Sequence, residues 1–118
     1  MRHRNKNKIL DRKRGPRQLM LRNLASSLIM YEKVQTTKAK AVAVRPLVEK
    51  IITVAKGEDS LTARRTLAAF LLHEKAVLKT LEVLAPRYSE RAGGYTRRIK
   101  LGNRQGDGAE MVQLELVQ

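Results

Sequence analysis

The sequence has no cysteine and no tryptophan among its 118 residues, and only four residues are aromatic: Tyr31, Phe70, Tyr88 and Tyr95. A chain without cysteine forms no disulfide, no thiolate zinc site and no cysteine nucleophile, which fits a reducing cytosol. The sequence also lacks an apolar run close to the ~20 residues that span a membrane, and no apolar signal core follows its basic start. We therefore expect an intracellular, soluble protein whose core consists mainly of Leu, Ile, Val, Ala and Met.

Groups that carry out catalysis or bind a metal are equally scarce. The two histidines are His3 and His73, and the latter would need a second histidine at the position of Val77 to resemble a zinc-protease helix. The glycine-containing segment 102–108 has neither a Gly-Lys-Ser/Thr nor a G-x-G-x-x-G pattern, and no helix is predicted after it. We therefore predict that the protein is not an enzyme and has no cofactor, no metal site and no small-molecule substrate.

Acidic residues are few: there are 11, against 25 Lys and Arg, which leaves a net charge of +14. Half of that charge lies in residues 1–18, where eight basic residues accompany Asp11 alone. Self-repulsion and the shortage of apolar residues predict a disordered basic arm over residues 1–16 that becomes ordered on a polyanion. Residues 17–118 are enough for one domain with a single core. Nucleic acid is the partner that this charge distribution favours.

A second basic cluster lies between positions 87 and 104, where six basic residues accompany Glu90 as the single acid. Five of the six are arginines, whose guanidinium groups hold phosphate oxygens in a bidentate manner. Tyr95, within this cluster, either stacks on a base or packs in the core, and packing is the more frequent role. We expect the arm and this cluster to form two separated phosphate-binding surfaces that recognise phosphate, sugar and shape.

Four segments have apolar residues at helical spacing, and their predicted bounds are 17–31, 38–56, about 60–72 and about 74–85. Pro16 suits the first position of the first helix, and Asp59 is a good N-cap for the third. Pro46 lies inside the second segment and either kinks the helix or divides it. The fourth helix is expected to end before Pro86.

After position 94 the apolar period changes from helical to two. Alternating residues over 95–101, a loop over 102–108 and a second run over 110–117 predict a β-hairpin. The segment 33–36 is weakly extended, and we expect it to join the hairpin because an isolated two-stranded hairpin is marginal in water. The predicted fold is therefore a two-layer α+β domain in which four helices pack on one face of a small three-stranded sheet.

Blocks of distinctive residues occur along nearly the whole chain. Those in the first half are Met1-Arg2-His3-Arg4, Leu21-Arg22-Asn23-Leu24-Ala25, Val34-Gln35-Thr36-Thr37-Lys38-Ala39-Lys40-Ala41 and Arg45-Pro46-Leu47-Val48-Glu49. The most specific blocks lie in the last third: Ala85-Pro86-Arg87-Tyr88, Gly93-Gly94-Tyr95-Thr96-Arg97 and Arg104-Gln105-Gly106-Asp107-Gly108-Ala109-Glu110-Met111. Together, and in this order, the blocks resemble the bacterial large-subunit ribosomal protein family numbered seventeen.

The resemblance implies an α+β domain that binds large-subunit rRNA on the solvent side near the nascent-peptide exit and contacts neighbouring ribosomal proteins. It implies structural and assembly work in the bacterial cytoplasm, not catalysis. The arm departs from the usual family pattern over 5–11 and 13–16 but keeps its charge, so individual arm contacts are not transferred. The residues that we expect to contact RNA are Arg2, His3, Arg4, Lys6, Lys8, Arg12, Lys13, Arg14, Arg17, Arg22, Thr37, Lys38, Lys40, Arg87, Arg91, Tyr95, Arg97, Arg98, Lys100 and Arg104.

Two other functions fit a basic chain less well. A DNA-binding architectural or regulatory protein would use the arm in a groove and the third helix as a reader, but no helix-turn-helix spacing supports it. The hypothesis that the chain binds an anionic membrane has less support still, because the arm lacks an apolar face and the helices need their apolar faces for the core.

Overall fold

The computed structural model describes residues 8–57 and 59–118. Within them it contains three strands and four helices: α1 (Arg14–Tyr31), β1 (Lys33–Thr37), α2 (Lys38–Gly57), α3 (Ser60–Phe70), α4, β2 (Thr96–Asn103) and β3 (Glu110–Leu116). Helix α4 consists of Glu74–Lys79, a π-helical turn over Thr80–Leu84 and a last α-helical turn over Ala85–Arg87. The predicted α+β class and its element order are confirmed.

The sheet is antiparallel, in the order β1-β3-β2. The short strand β1 joins the C-terminal hairpin, as the sequence predicts, and pairs Val34 with Leu114 of the central strand. Val112, Leu114 and Leu116 of β3 are buried and face the helices, whereas Gln113 and Glu115, which alternate with them, lie on the open face. The domain therefore has the two predicted layers, one of helices and one of strands.

Helix α1 begins at Arg14, three residues before the predicted start at Arg17. Gly15 and Pro16 therefore belong to its first turn and not to an extended segment. The first amide hydrogens of a helix have no partner within the helix, so the missing N–H of Pro16 costs nothing there. At the other end, Glu32 takes the left-handed conformation, with φ at 63°, and directs the chain into β1.

Helix α2 supplies the centre of the core. Its buried residues are the six that helical periodicity predicts: Ala41, Val44, Val48, Ile51, Ile52 and Ala55. The helix continues through Pro46 as a single element, so the alternative of two shorter helices is excluded. Pro46 is exposed, and the carbonyl of Val42, four residues earlier, has no helical donor there.

Helix α3 begins as predicted, because the Asp59 carboxylate accepts a hydrogen bond from the Thr62 amide at 2.9 Å. Helix α4 does not end before Pro86, and that prediction is wrong. In its π-helical turn the amide of Ala85 donates to the carbonyl of Thr80, five residues back. This wider turn shifts the hydrogen-bond register. The helix therefore continues past Pro86, whose nitrogen carries no hydrogen to donate.

Two tyrosines close the core at the end where α4, α2 and the sheet meet. Tyr88 and Tyr95 are 2% and 1% exposed, and their ring centroids are 5.1 Å apart at an angle of 48°. In the part of the chain that the structure describes, no helix has both the length and the apolar character needed to cross a membrane.

Candidate nucleic-acid interface

Three adjoining clefts run across one side of the molecule, from the β2–β3 hairpin to the start of α1. The first, of about 320 Å³, contains Arg98, Lys100 and Lys38. The second, of about 420 Å³, shares Lys38 with the first and adds Thr37 and Lys8. The third, of about 560 Å³, shares Lys8 with the second and is completed by the residues at the start of α1, Arg14 and Arg17. We call these three adjoining clefts together the basic groove.

The fold brings these residues together from three distant parts of the sequence. Arg98 and Lys100 pair with Leu114 and Val112 on the neighbouring strand, so they point to the helical side of the sheet. They lie on the edge strand and are exposed, unlike their partners on β3. Lys38 is the first residue of α2, next to the sheet, because β1 runs directly into that helix.

The groove is strongly positive. Among the described residues that line it, Glu110 is the single acid, and its carboxylate lies 3.6 Å from the Lys38 ammonium. Both side chains of this pair are about half exposed, so water screens the interaction and Lys38 retains most of its attraction for another anion. In the described residues, the other cations of the groove make no salt bridge within 4.0 Å: Lys8, Arg14, Arg17, Arg98 and Lys100.

The helices that start beside the groove add to this potential. Neither α1 nor α2 has an acidic residue in its first turn, and the N-cap of α1, Lys13, makes no side-chain cap. The positive ends of both helix dipoles are therefore uncompensated by acids of their own first turns. Side-chain and backbone charge act in the same direction, and the groove is chemically suited to a chain of phosphates.

The second predicted cluster does not form one surface. Only Arg98 and Lys100 line the groove, beside Lys8 and residues at the start of α1. Arg97 points to the opposite face of β2, where it pairs with Glu115. Alternation along a strand separates neighbouring charges in this way.

The remaining arginines of that cluster do not line the groove, and each has a partner of its own. Arg87 pairs with Glu32 and holds the pKa of that carboxyl below its ordinary value. Arg104 pairs with Asp107 within the hairpin loop and lowers the pKa of Asp107 to about 2. The guanidinium of Arg91 donates to the carbonyls of Gly93 and Gly94, each at 3.2 Å.

The Tyr95 ring is buried, which argues against its inclusion among the RNA-binding residues. The side chain is 1% exposed and packs on Tyr88, and its hydroxyl accepts a hydrogen bond from Lys56 at 2.8 Å. A ring with both faces covered cannot stack on a base. Of the two roles open from the sequence, core packing is the one observed.

Two other predicted residues, Arg22 and Arg12, donate side-chain hydrogen bonds to backbone carbonyls. Arg22 donates to the carbonyl of Phe70 at 3.1 Å and so joins α1 to α3. Arg12 donates to the carbonyl of Leu10 at 3.0 Å, and Lys40 is partly buried. Lys13 is exposed at the start of α1. The predicted contacts Arg2, His3, Arg4 and Lys6 lie outside the described residues.

Sequence reasoning missed three polar residues of the groove. Gln18 lies on α1, and Asn103 and Glu110 face each other across the end of the hairpin. The hairpin register, had it been known, would have identified the last two. Within residues 8–57 and 59–118, no three His, Asp or Glu side chains come together in a way that could hold a metal ion.

Comparison with known proteins gives a single family. The profile of the ribosomal protein L17 family matches residues 20–117. The chain is 52% identical over 108 residues to large ribosomal subunit protein bL17 of Desulfitobacterium hafniense, covering 92% of this chain and 96% of that protein. It is 48% identical to the protein of the same name from Pelobacter propionicus over all of this chain and 92% of that protein. The chain therefore belongs to the ribosomal protein L17 family.

Proposed function

We propose that this protein is a structural constituent of the large ribosomal subunit that binds and stabilises folded large-subunit rRNA through the basic groove and the arm over residues 1–16. Family membership makes it a ribosomal protein of the bacterial cytoplasm and not an enzyme. Its partners in the proposal are large-subunit rRNA and neighbouring large-subunit proteins near the peptide exit. The position near the exit is supported by the sequence resemblance alone.

The basic groove is the observation that supports RNA binding. Six cations from the arm, α1, α2 and β2 follow one another along it, with Glu110 as the only acid among its described lining residues. Cations in a row suit a polymer of phosphates better than a single small anion, because each phosphate along the backbone meets its own counter-charge. The groove therefore fits the sugar-phosphate backbone of a nucleic acid strand.

Recognition in this proposal depends on phosphate positions and RNA shape. Three of the four aromatic residues are buried or partly buried, so the sheet carries no row of rings on which bases would stack. Phosphate contacts orient a protein on folded RNA and carry little sequence information. Lys8 of the arm lines the groove and contributes its charge to the same binding surface.

The test measures binding of the full chain to large-subunit rRNA fragments, with duplex DNA as competitor at fixed salt. With about seven phosphates neutralised, the slope of log affinity against log salt is expected to be about −5 to −6. Lys38→Gln with Arg98→Gln should weaken binding and make this slope shallower by about 1 to 2.

The matched control is Arg64→Gln with Arg65→Gln, which removes the same charge from the exposed side of α3. Equal losses in both double variants would mean that net charge, and not the groove, controls binding. Equal affinity for duplex DNA would favour the DNA-binding alternative, and a slope near −1 would contradict the electrostatic basis of the proposal.

A further inference from the structure

Tyr31 is the one aromatic residue of this protein that faces solvent. Its side chain is 74% exposed at the C-terminal end of α1, whereas Tyr88 and Tyr95 are in the core. Phe70 is partly buried, and the Lys50 ammonium lies 5.2 Å from its ring centroid. Single exposed apolar residues are common on proteins, so exposure by itself indicates no function.

The backbone on both sides of Tyr31 is held firmly. The carbonyl of Met30 accepts a hydrogen bond from the Lys79 ammonium at 3.0 Å. The carbonyl of Glu32 accepts one from the Leu116 amide at 2.9 Å, and its carboxylate binds both Lys79 and Arg87. The backbone that carries the ring is thus fixed, so little backbone entropy would be lost when the ring binds a partner.

Two clefts share Tyr31 in their lining, and each contains a lysine. The first, of about 270 Å³, contains Lys33 together with the carboxylates of Glu32 and Glu115, which are paired with Arg87 and Arg97. The second, of about 610 Å³, contains Lys75 together with Glu74, which is paired with Arg64 at 3.3 Å.

The acids of both clefts therefore have arginine partners. Lys33 lies opposite Glu115 in the β1–β3 register, but among the described residues neither Lys33 nor Lys75 lies within 4.0 Å of a carboxylate. The two lysines are the cations that remain for another anion.

An aromatic face between two cations matches a nucleotide in a single strand, which offers a flat base between two phosphates. An apolar side chain of another protein would use the ring but gain nothing from Lys33 and Lys75. We propose that Tyr31 stacks on an unpaired base of the RNA, and that Lys33 and Lys75 bind the phosphates on either side. This contact rests on the proposed function and adds to it a base-stacking site that lies apart from the groove.

The first experiment compares variants of the full chain for binding to protein-free large-subunit rRNA. Tyr31→Leu keeps an apolar side chain but removes the π face, and it should weaken binding by about 5- to 100-fold. Tyr31→Phe should bind like the parent, because it keeps the ring. Leu61→Ala, at a residue that is 58% exposed on α3, is the control and should have no effect. Equal affinity of the Leu and Phe variants would overturn the stacking contact.

The second experiment uses the absence of tryptophan from the chain. Tyr31→Trp introduces a single indole whose emission is quenched when it stacks on a base. We expect quenching on addition of rRNA alone. Unchanged emission with bound rRNA, or a blue shift that appears only when other ribosomal proteins are added, would overturn the proposal, and the second outcome would identify a protein partner.

RNA binding through the groove and base stacking by Tyr31 can be tested separately. If the groove variant Lys38→Gln with Arg98→Gln weakens binding but Tyr31→Leu does not, RNA binding through the groove stands and the stacking site is wrong. If Tyr31→Leu weakens binding and the groove variant does not, the proposal that the groove binds rRNA is wrong. Thermal unfolding of each variant checks that it is folded, which an exposed position such as Tyr31 should allow.

Discussion

The ammonium of Lys56, on the last turn of α2, donates a hydrogen bond to the hydroxyl of Tyr95 at 2.8 Å and lies 4.9 Å from the centre of the same ring. It also donates to the carbonyl of Arg91, which accepts a further bond from the Tyr95 hydroxyl at 3.2 Å. Lys56 therefore fastens the segment before β2 to the end of α2.

Replacing Tyr95 tests its structural role. Tyr95→Phe should lower the free energy of unfolding by about 1 kcal/mol, because the hydroxyl loses its bonds to Lys56 and Arg91. Tyr95→Ala should lower it by about 3–5 kcal/mol, since a buried ring is lost. Urea unfolding measures both values. The folded Phe variant should bind rRNA like the parent, and a loss of affinity in the folded variant would show that the hydroxyl contributes to RNA binding.

Arg97 and Arg98 are adjacent in sequence and lie on opposite faces of β2, which makes them a matched pair. Arg98→Gln should weaken rRNA binding across different RNA sequences, because Arg98 lines the groove and phosphate contacts carry little sequence information. Arg97→Gln should have a smaller effect, since Arg97 is paired with Glu115. Filter binding at several salt concentrations gives both affinities. Equal losses of affinity would mean that rRNA binding does not depend on the face of β2 from which the arginine projects.

Removing residues 1–12 should leave the thermal unfolding midpoint nearly unchanged. In the described part of this segment the hydrogen bonds are local, from Arg12 to Ile9 and Leu10, and Lys13 and Arg14 are kept to start α1. The deletion removes five of the chain's 25 Lys and Arg residues, so affinity for rRNA and incorporation into assembling large subunits should fall. A large drop in the midpoint would mean that this segment belongs to the core. Unchanged incorporation would contradict its role as an anchor.

Glu32 should make stability depend on pH in the acid range. Hydrogen bonds from Arg87, and secondarily from Lys79, hold the pKa of Glu32 below its ordinary value of 4.5. A lowered carboxyl pKa stabilises the fold above the unfolded value and loses that contribution as the pH falls through the folded value. Glu32→Gln should therefore be less stable than the parent at pH 7, and the difference should shrink below about pH 4.5.

Urea unfolding of both proteins between pH 7 and pH 3 measures this difference. Glu82→Gln, at an exposed position of α4, is the control and should change the free energy of unfolding little at pH 7 or at pH 3. A difference between the Glu32 variant and the parent that does not change with pH would contradict the ionic origin of the effect.

Most of the fold follows from local patterns in the sequence. The six buried residues of α2 recur at helical spacing, and Asp59 caps α3 as an N-cap aspartate should. The change to a period of two after Tyr95 correctly predicts the hairpin. The errors concern helix ends, at Arg14 and Pro86, where a first turn tolerates proline and a π-helical turn carries a helix past one.

The sequence by itself determined the α+β fold, the family and the excess of positive charge, because periodicity, motif order and charge are properties of the chain in one dimension. Only the tertiary structure decided which cations share a surface. The pleat of β2 separates Arg97 from Arg98, and the path from β1 into α2 brings Lys38 beside a strand sixty positions away. The burial of Tyr95 and the exposure of Tyr31 were decided in the same way, because what covers a ring depends on elements far from it along the chain.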